Sequence, residues 1–328
     1  MPVPFPTYSY HQNMIYQYSF IMNMNIMNKH CVLQAYKTLM NCRYATTALA
    51  PNTTDYCLDL VRKKDYENFL CSLLLPERIL AAGFAIRAFN VEIAQIPDQI
   101  TNDTLGAMRF QFWKDALNKI YDGSPPSSPV AVELYRILRK HKLSKYYFQR
   151  LIDARLQKLN DLNILPDMRA IENYAEQTVS SIYYLLLEAA EITNVNADHI
   201  ASHLGKAHGI TNLIRSIPYN CLRREICLPQ DILLKHGVSS EAVLQGKFNK
   251  SLSDVIFDVA SNAKLHLDKV HLLMKKSNSD LVLIFLPMVC IESYLNKLQQ
   301  YDFNVYYPKV QSKDPFLMLK LLKAKYFS

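Results

Sequence analysis

His199 and His203 stand four residues apart, a spacing that brings both imidazoles onto one face of a helix and can hold a metal ion. No HExxH accompanies them, and His208 falls about 180° from His199 at 100° per residue. Exposed or hydrogen-bonded imidazoles therefore account for them better than a ligand set. The seven cysteines (31, 42, 57, 71, 221, 227 and 290) are scattered, odd in number and never spaced as CxxC. That pattern argues against a disulfide framework and a zinc knuckle, and points to a reducing interior. Glycine-dependent phosphate chemistry is excluded too. The chain has only 7 glycines, where average usage would give roughly 23, and contains no GxGxxG, GxxxxGK[ST] or GxSxG. Arg87 and Arg215 remain as chemistry-bearing residues. Each can bind a phosphate or acidic head group, or pair with an internal acid as a structural bridge, and residue type leaves both readings open.

The elements that must position these residues are helices. Glycine scarcity disfavours turn-rich β folds and suits long helices. From Asp55 onward, prolines at 76, 97, 125, 126, 129, 166, 218, 229, 287, 308 and 315 separate stretches of helical length. Met108, Phe112, Trp113, Ala116, Leu117 and Ile120 form one apolar stripe. Val179, Ile182, Tyr183, Leu186, Leu187 and Ala190 form another. A third, from Leu252 through Val255, Ile256, Val259, Ala260, Ala263, Leu267 and Val270 to Met274, holds the period over six turns. No stretch alternates with period two for long enough to form a sheet, so the fold class is all-α. Leu281 to Ile291 is the most apolar run and is interrupted by Pro287. It falls short of the roughly 20 residues a membrane span needs and reads as a buried core helix. Lys320, Lys323 and Lys325 spread around the wheel of the tail from Phe316 to Phe327, which suits a core cap or partner contact better than a membrane-surface amphipath.

The net charge of +8 does not imply nucleic acid. Residues 1–54 hold Lys29, Lys37, Arg43 and no acid, leaving 34 basic and 29 acidic side chains for the other 274 residues. No basic block exceeds Arg62-Lys63-Lys64. The acid-free start reads as an organelle presequence over residues 1–50, followed by one helical domain over 51–328. Cys42-Arg43-Tyr44-Ala45-Thr46 resembles a matrix-processing site, and Met14, Met24 and Met27 are alternative starts, since the first 28 residues carry no positive side chain.

Two segments carry a family likeness. One comprises Leu75-Pro76-Glu77-Arg78, Phe84 to Glu92 (FAIRAFNVE) and Met108 to Leu117 (MRFQFWKDAL). The other is Gly205 to Asp231, GKAHGITNLIRSIPYNCLRREICLPQD. Together, from about Tyr56 to Tyr294, they resemble the squalene/phytoene synthase family, enzymes that join two prenyl diphosphates head to head. The resemblance implies a single-domain isoprenoid-synthase-like helical bundle around a central cavity. In that family two helices each present an aspartate pair four residues apart on opposite walls. Positions i and i+4 share a helix face, and paired carboxylates there hold Mg²⁺ against a diphosphate leaving group.

This chain departs from that pattern. Asn90 and Ala94 stand where the first pair is counted from Arg87, and Ser216 and Asn220 where the second is counted from Asn212 and Arg215. Tyr219 replaces a further acid, and Pro218 is expected to disturb the helix end. Glu92 lies about 200° around the helix from Asn90, Asp98 falls beyond Pro97, and Glu225 lies in a loop. Arg87, Asn212 and Arg215 remain as residual ligand or phosphate contacts, with Trp113, Gly205 and Gly209 as scaffold. The two glycines let a neighbouring backbone or a ligand approach closely, and helix packing is the simpler reason. No metal, cofactor or catalytic residue is expected. Within the family, a branch lacking the aspartates and bearing a presequence serves the assembly of mitochondrial respiratory complex I. The likeness to that branch implies a pseudoenzyme on the matrix side of the inner membrane, peripheral to it. Complex I subunits or assembly intermediates would be its partners, acting early in biogenesis. The alternatives are an active prenyl or lipid transferase with altered metal ligands, and a module that holds an isoprenoid or lipid without turnover.

Overall fold

The computed structural model describes residues 52–100, 102–160, 165–275 and 279–327. The expected presequence and its Arg43 processing site lie outside the described residues. Helices α1 (Thr53–Lys64), α2 (Tyr66–Ser72), α3 (Glu77–Ala94), α4 (Asp103–Tyr121), α5 (Pro129–Leu138) and α6 (Lys145–Asn160) come first. They are followed by α7 (Met168–Ala175), α8 (Ser181–Ala189), α9 (Val195–Leu222), α10 (Gln230–Lys235) and α11 (Ser240–Leu244). The series ends with α12 (Lys250–Met274), α13 (Ser279–Ile284), α14 (Pro287–Gln300), α15 (Pro308–Gln311) and α16 (Leu317–Phe327). No strand occurs among the described residues, as the all-α reading expects. A larger unit runs from Pro51 to Ser312, and Lys313–Phe327 belong to a second one, in which Asp314 pairs with Lys320.

Local sequence sets where helices begin. Asn52, Asn102, Asp167, Asn194 and Asn249 each accept a backbone N–H of the first turn of α1, α4, α7, α9 and α12, which satisfies donors the helix cannot. Pro76 and Pro229 precede α3 and α10, and Pro129, Pro287 and Pro308 open α5, α14 and α15, where the missing N–H costs nothing. Pro218 behaves differently from the sequence expectation. It sits inside α9, which continues to Leu222. The buried Ile214 and Ile217 hold that stretch by packing. The end is instead set by Arg224 in the left-handed region (φ 58°), with the Glu225 N–H returning to the Asn220 carbonyl at 2.9 Å.

Two further expectations are corrected. The run from Leu281 to Ile291 is not one helix: α13 ends at Ile284 and α14 begins at Pro287, with Phe285 and Leu286 buried in the break. Among the described residues no helix is long and apolar enough to cross a membrane. In α4 the buried face is Gly106, Phe110, Trp113, Ala116, Leu117 and Ile120, whereas Met108 and Phe112 are 64% and 49% exposed. Packing against α6 selects that face: a Cβ at Gly106 would lie 2.6 Å from Leu159 Cδ2. Trp113 meets Phe89 of α3 edge-on at 5.3 Å, and Phe89 meets Phe148 of α6 at 5.2 Å, a geometry aromatic quadrupoles favour.

The longest partners, α9 and α12, bury the stripe from Leu252 to Val270 as expected. Between α7 and α8 one π turn, Glu176–Ser180, adds an extra residue to the helical path. Gly205 and Gly209 of α9 lie against it. A Cβ at Gly205 would come 2.6 Å from the Ser180 Cα, and one at Gly209 3.1 Å from the Ala175 Cα. Close helix packing is thus what these glycines permit.

Candidate functional site

Two polar clusters use neighbouring residues of α3 and α9. The inner one receives Arg87 from α3 and Arg215 from α9. Arg87 is only 3% exposed, with Nη1 4.0 Å from Asp65 Oδ2, and its Nε is buried without a hydrogen-bond partner among the described residues. Arg215 Nη1 donates to Glu67 Oε2 at 2.8 Å, and its guanidinium lies 4.5 Å from the Tyr294 ring centroid. Asn68 Nδ2 donates to Asp65 Oδ1 at 2.8 Å. His208 Nδ1 is hydrogen-bonded to the Tyr183 hydroxyl at 2.8 Å, and the Cys71 and Cys290 Sγ atoms are 3.7 Å apart.

The electrostatics of this cluster follow from burial and two cations. Burial, then Arg87 and Arg215, pushes His208 down to about 3, so its imidazole is neutral near pH 7. Burial raises the Asp65 carboxyl, and Arg87 opposes it. The Tyr294 hydroxyl is pushed up to about 12, again by burial first. Two guanidinium groups face two carboxylates, so the cluster closes on itself.

The second cluster draws on residues of α3, α6 and α9. Asn90, one turn beyond Arg87, accepts a hydrogen bond from Arg155 Nη2 of α6 at 2.7 Å, and Arg155 Nη1 donates to the Leu151 carbonyl at 2.8 Å. Lys158, three residues further, lies over the Tyr174 ring at 5.3 Å and has Cys227 and Glu225 as electrostatic neighbours. From α9, Asn220 Nδ2 donates to Ser216 Oγ at 2.8 Å and to Cys227 Sγ at 2.9 Å. Ser216 Oγ donates to the Leu213 carbonyl at 2.9 Å. Asn212, Ser216 and Asn220 share one face at i, i+4, i+8, with Asn212 exposed. Ala94 is exposed as the last residue of α3.

Two further carboxylates are taken by one arginine. Arg223 pairs with Asp98 and, through Nε, with Glu225 at 3.1 Å, while Tyr219 donates to Asp98 at 3.2 Å. Asp98 is indeed outside the helix, in a 3₁₀ turn (Ile96–Gln99), but it does reach the second motif. Glu92 points elsewhere, accepting from the Tyr56 hydroxyl at 3.0 Å.

The sequence-predicted residues therefore divide. Ser216 and Asn220 meet each other and Asn90 meets Arg155, whereas Arg87 and Arg215 bond inward to acids and Asn212 and Ala94 stand exposed. The His199/His203 spacing brings no pair together; instead His203 Nδ1 meets His266 Nδ1 at 2.9 Å, and burial lowers His203 to about 4. Among the described residues no group of three His, Cys, Asp or Glu is arranged to hold a metal ion. Arg155 and Lys158 escaped the sequence reading. A signal existed: Phe148, Leu151, Arg155 and Lys158 share the period of one buried face, so two cations occupy places where the period calls for apolar side chains.

Residues 61–317 match the squalene/phytoene synthase family, and the chain belongs to it. It is similar to the Bos taurus protein named NADH dehydrogenase (ubiquinone) complex I, assembly factor 6, at 45% identity over 83% of this chain and 81% of that one. A Drosophila melanogaster homolog of that factor is 38% identical over 81% of each chain. Among solved structures, a dehydrosqualene synthase in complex with ligand superposes with a TM-score of 0.71, covering 83% of this chain and 94% of that one. At 17% identity, that likeness speaks for the helical fold alone.

Proposed function

We propose that this chain is an assembly factor for mitochondrial respiratory complex I, a pseudoenzyme that works by binding rather than by metal-dependent diphosphate chemistry. The assembly role is supported by relatives of that name, alike over most of both chains. The pseudoenzyme reading rests on one observation: at the positions counted as the family's aspartates, the amide oxygen of Asn90 is held by the Arg155 guanidinium. A Mg²⁺ ion needs anionic oxygen there, and a guanidinium beside the same atom repels it. Ser216 and Asn220 bond to one another, and Arg223 takes up Asp98 and Glu225. The protein acts on the matrix side of the inner membrane, on complex I subunits or early intermediates.

Depleting the protein and resolving respiratory complexes on native gels tests the role. Selective loss of complex I, restored by re-expression, is the expected result; uniform loss of all complexes, or none, refutes it. Incubation with farnesyl diphosphate and Mg²⁺ should release no pyrophosphate above a boiled control.

A further inference from the structure

The stretch that joins α5 to α6 concentrates positive charge. From Leu134 to Ile152 there is no Asp or Glu, while Arg136, Arg139, Lys140, Lys142, Lys145 and Arg150 are all cationic. They alternate with apolar and aromatic residues, so no contiguous block marks them. Two have internal partners: Arg136 pairs with Glu133 at 2.6 Å, and Arg150 reaches Glu176. A helix end accounts for two more, since Arg139 and Lys140 follow α5 where the helix dipole favours cations. Lys142 and Lys145 are not explained in that way. Lys145 opens α6, the end at which the dipole opposes a cation.

A cavity of about 470 Å³ lies where the ends of α4 and α5 meet the start of α6. Arg139, His141 and Lys142 line it, together with Tyr121 of α4 and Tyr135 of α5. Neither α3 nor α9, which carry the positions compared with the family's aspartates, contributes to the lining. The wall is fixed from two sides. The Tyr121 hydroxyl donates to the Leu143 carbonyl at 2.8 Å, and His141 Nδ1 donates to the Ala189 carbonyl of α8 at 3.0 Å. Glu188 of α8 accepts the Ser144 N–H at 2.8 Å and the Ser144 hydroxyl as well. Glu133 is buried against Arg136. Both carboxylates are thus engaged within the fold, whereas Arg139, Lys140 and Lys142 stand exposed.

We propose that this corner of the fold seats the head group of an anionic phospholipid and so holds the protein against a membrane surface. A cavity of this size takes one compact group rather than an extended polypeptide. Arg139 offers a planar fork of donors to a phosphate and Lys142 a point charge. Lys140, exposed between them in sequence, adds attraction to an acidic leaflet. Tyr146, 61% exposed in the first turn of α6, is an aromatic side chain of the type that settles at head-group level. No helix among the described residues can cross a membrane, so any hold they have on one is through a surface. The proposal rests on reading the protein as one that works at the inner membrane.

Flotation of the full-length protein with vesicles of phosphatidylcholine, alone or with phosphatidylglycerol, provides the test. Binding to the anionic vesicles alone is expected, reversed by salt and weakened about tenfold or more by Arg139→Gln with Lys142→Gln. Both side chains are exposed, and circular dichroism checks that the variant is folded. Lys269→Gln with Lys275→Gln removes the same charge from exposed positions of α12 and should leave binding within about twofold of the parent. Absence of binding, equal binding to neutral vesicles, or equal losses in the two double variants overturns the proposal. So does binding of glycerol 3-phosphate or of polyglutamate without binding to vesicles, which assigns the cavity to a soluble anion or to an acidic protein segment. Depletion and native gels test the assembly role separately, so a failure of vesicle binding leaves that role standing.

Discussion

Arg87 and Asn90 are one helical turn apart on α3, and Arg215 and Ser216 are adjacent on α9, yet they serve opposite kinds of site. The inner cluster sets two guanidinium groups against Asp65 and Glu67 and holds a neutral His208 against Tyr183. The second cluster sets two cations against an amide and a ring, with Glu225 an electrostatic neighbour of Lys158. The inner cluster matches guanidinium with carboxylate, whereas the outer one holds its arginine with an amide and a carbonyl and its lysine with a ring. The type of residue is the same in both places. The partner decides the role.

The strongest way to break this comparison is to remove one arginine from each cluster. Arg87→Met removes a buried guanidinium and strips the partly buried Asp65 carboxylate of its counter-ion, and should cost about 3 kcal/mol, the low end for breaking one side of a buried pair. That is a large share of a total stability of about 5–15 kcal/mol. Arg155→Met removes a charge with no carboxylate partner among the described residues and should stay within about 1 kcal/mol of the parent. Urea unfolding followed by circular dichroism gives both values. Equal losses would mean that the two arginines are braces alike.

Acid separates the clusters next. His208 titrates near 6.5 in the unfolded chain and about 3 in the folded one. Below pH 6.5 the unfolded state therefore takes up the proton first, and stability is lost progressively as the pH falls from 6.5 towards 3. At pH 5 the loss from this residue is about 2 kcal/mol. His208→Gln, which keeps an acceptor for Tyr183, should flatten that slope by about one proton. His203→Gln should flatten it less, because that imidazole is half-exposed. An acid profile unchanged by His208→Gln would show that the inner cluster admits water.

How much of this was legible in the sequence depends on distance along the chain. The helices were, because the apolar period and the prolines act within a turn or two, and so was the shared face of Asn212, Ser216 and Asn220. The face of α4 was misjudged at Met108 and Phe112, since the choice between adjacent stripes is made by α6, a different segment. The fate of Arg215 lay with Glu67, 148 residues away, and that of Arg155 with Asn90, 65 residues away. No local pattern encodes such pairings. Asp98 shows the same limit: the proline before it placed it correctly outside the helix, but its meeting with Tyr219 and Arg223 is a property of the folded chain.

The smallest effect sharpens the comparison most. Ser216→Ala with Asn220→Ala removes the two side chains that stand where paired carboxylates are expected from the family pattern. Both are partly exposed, and their mutual hydrogen bond is between neutral groups, so its loss should cost about 1 kcal/mol or less. In a transferase using these side chains as metal or substrate ligands, the double variant would be abundant and inactive. In a protein that works by binding and not through these side chains, it should remain abundant and restore complex I in depleted cells. Immunoblotting and an in-gel NADH dehydrogenase stain report the two quantities separately. Normal protein with no complex I would return the chemistry to α9, while full rescue places the requirement elsewhere in the molecule.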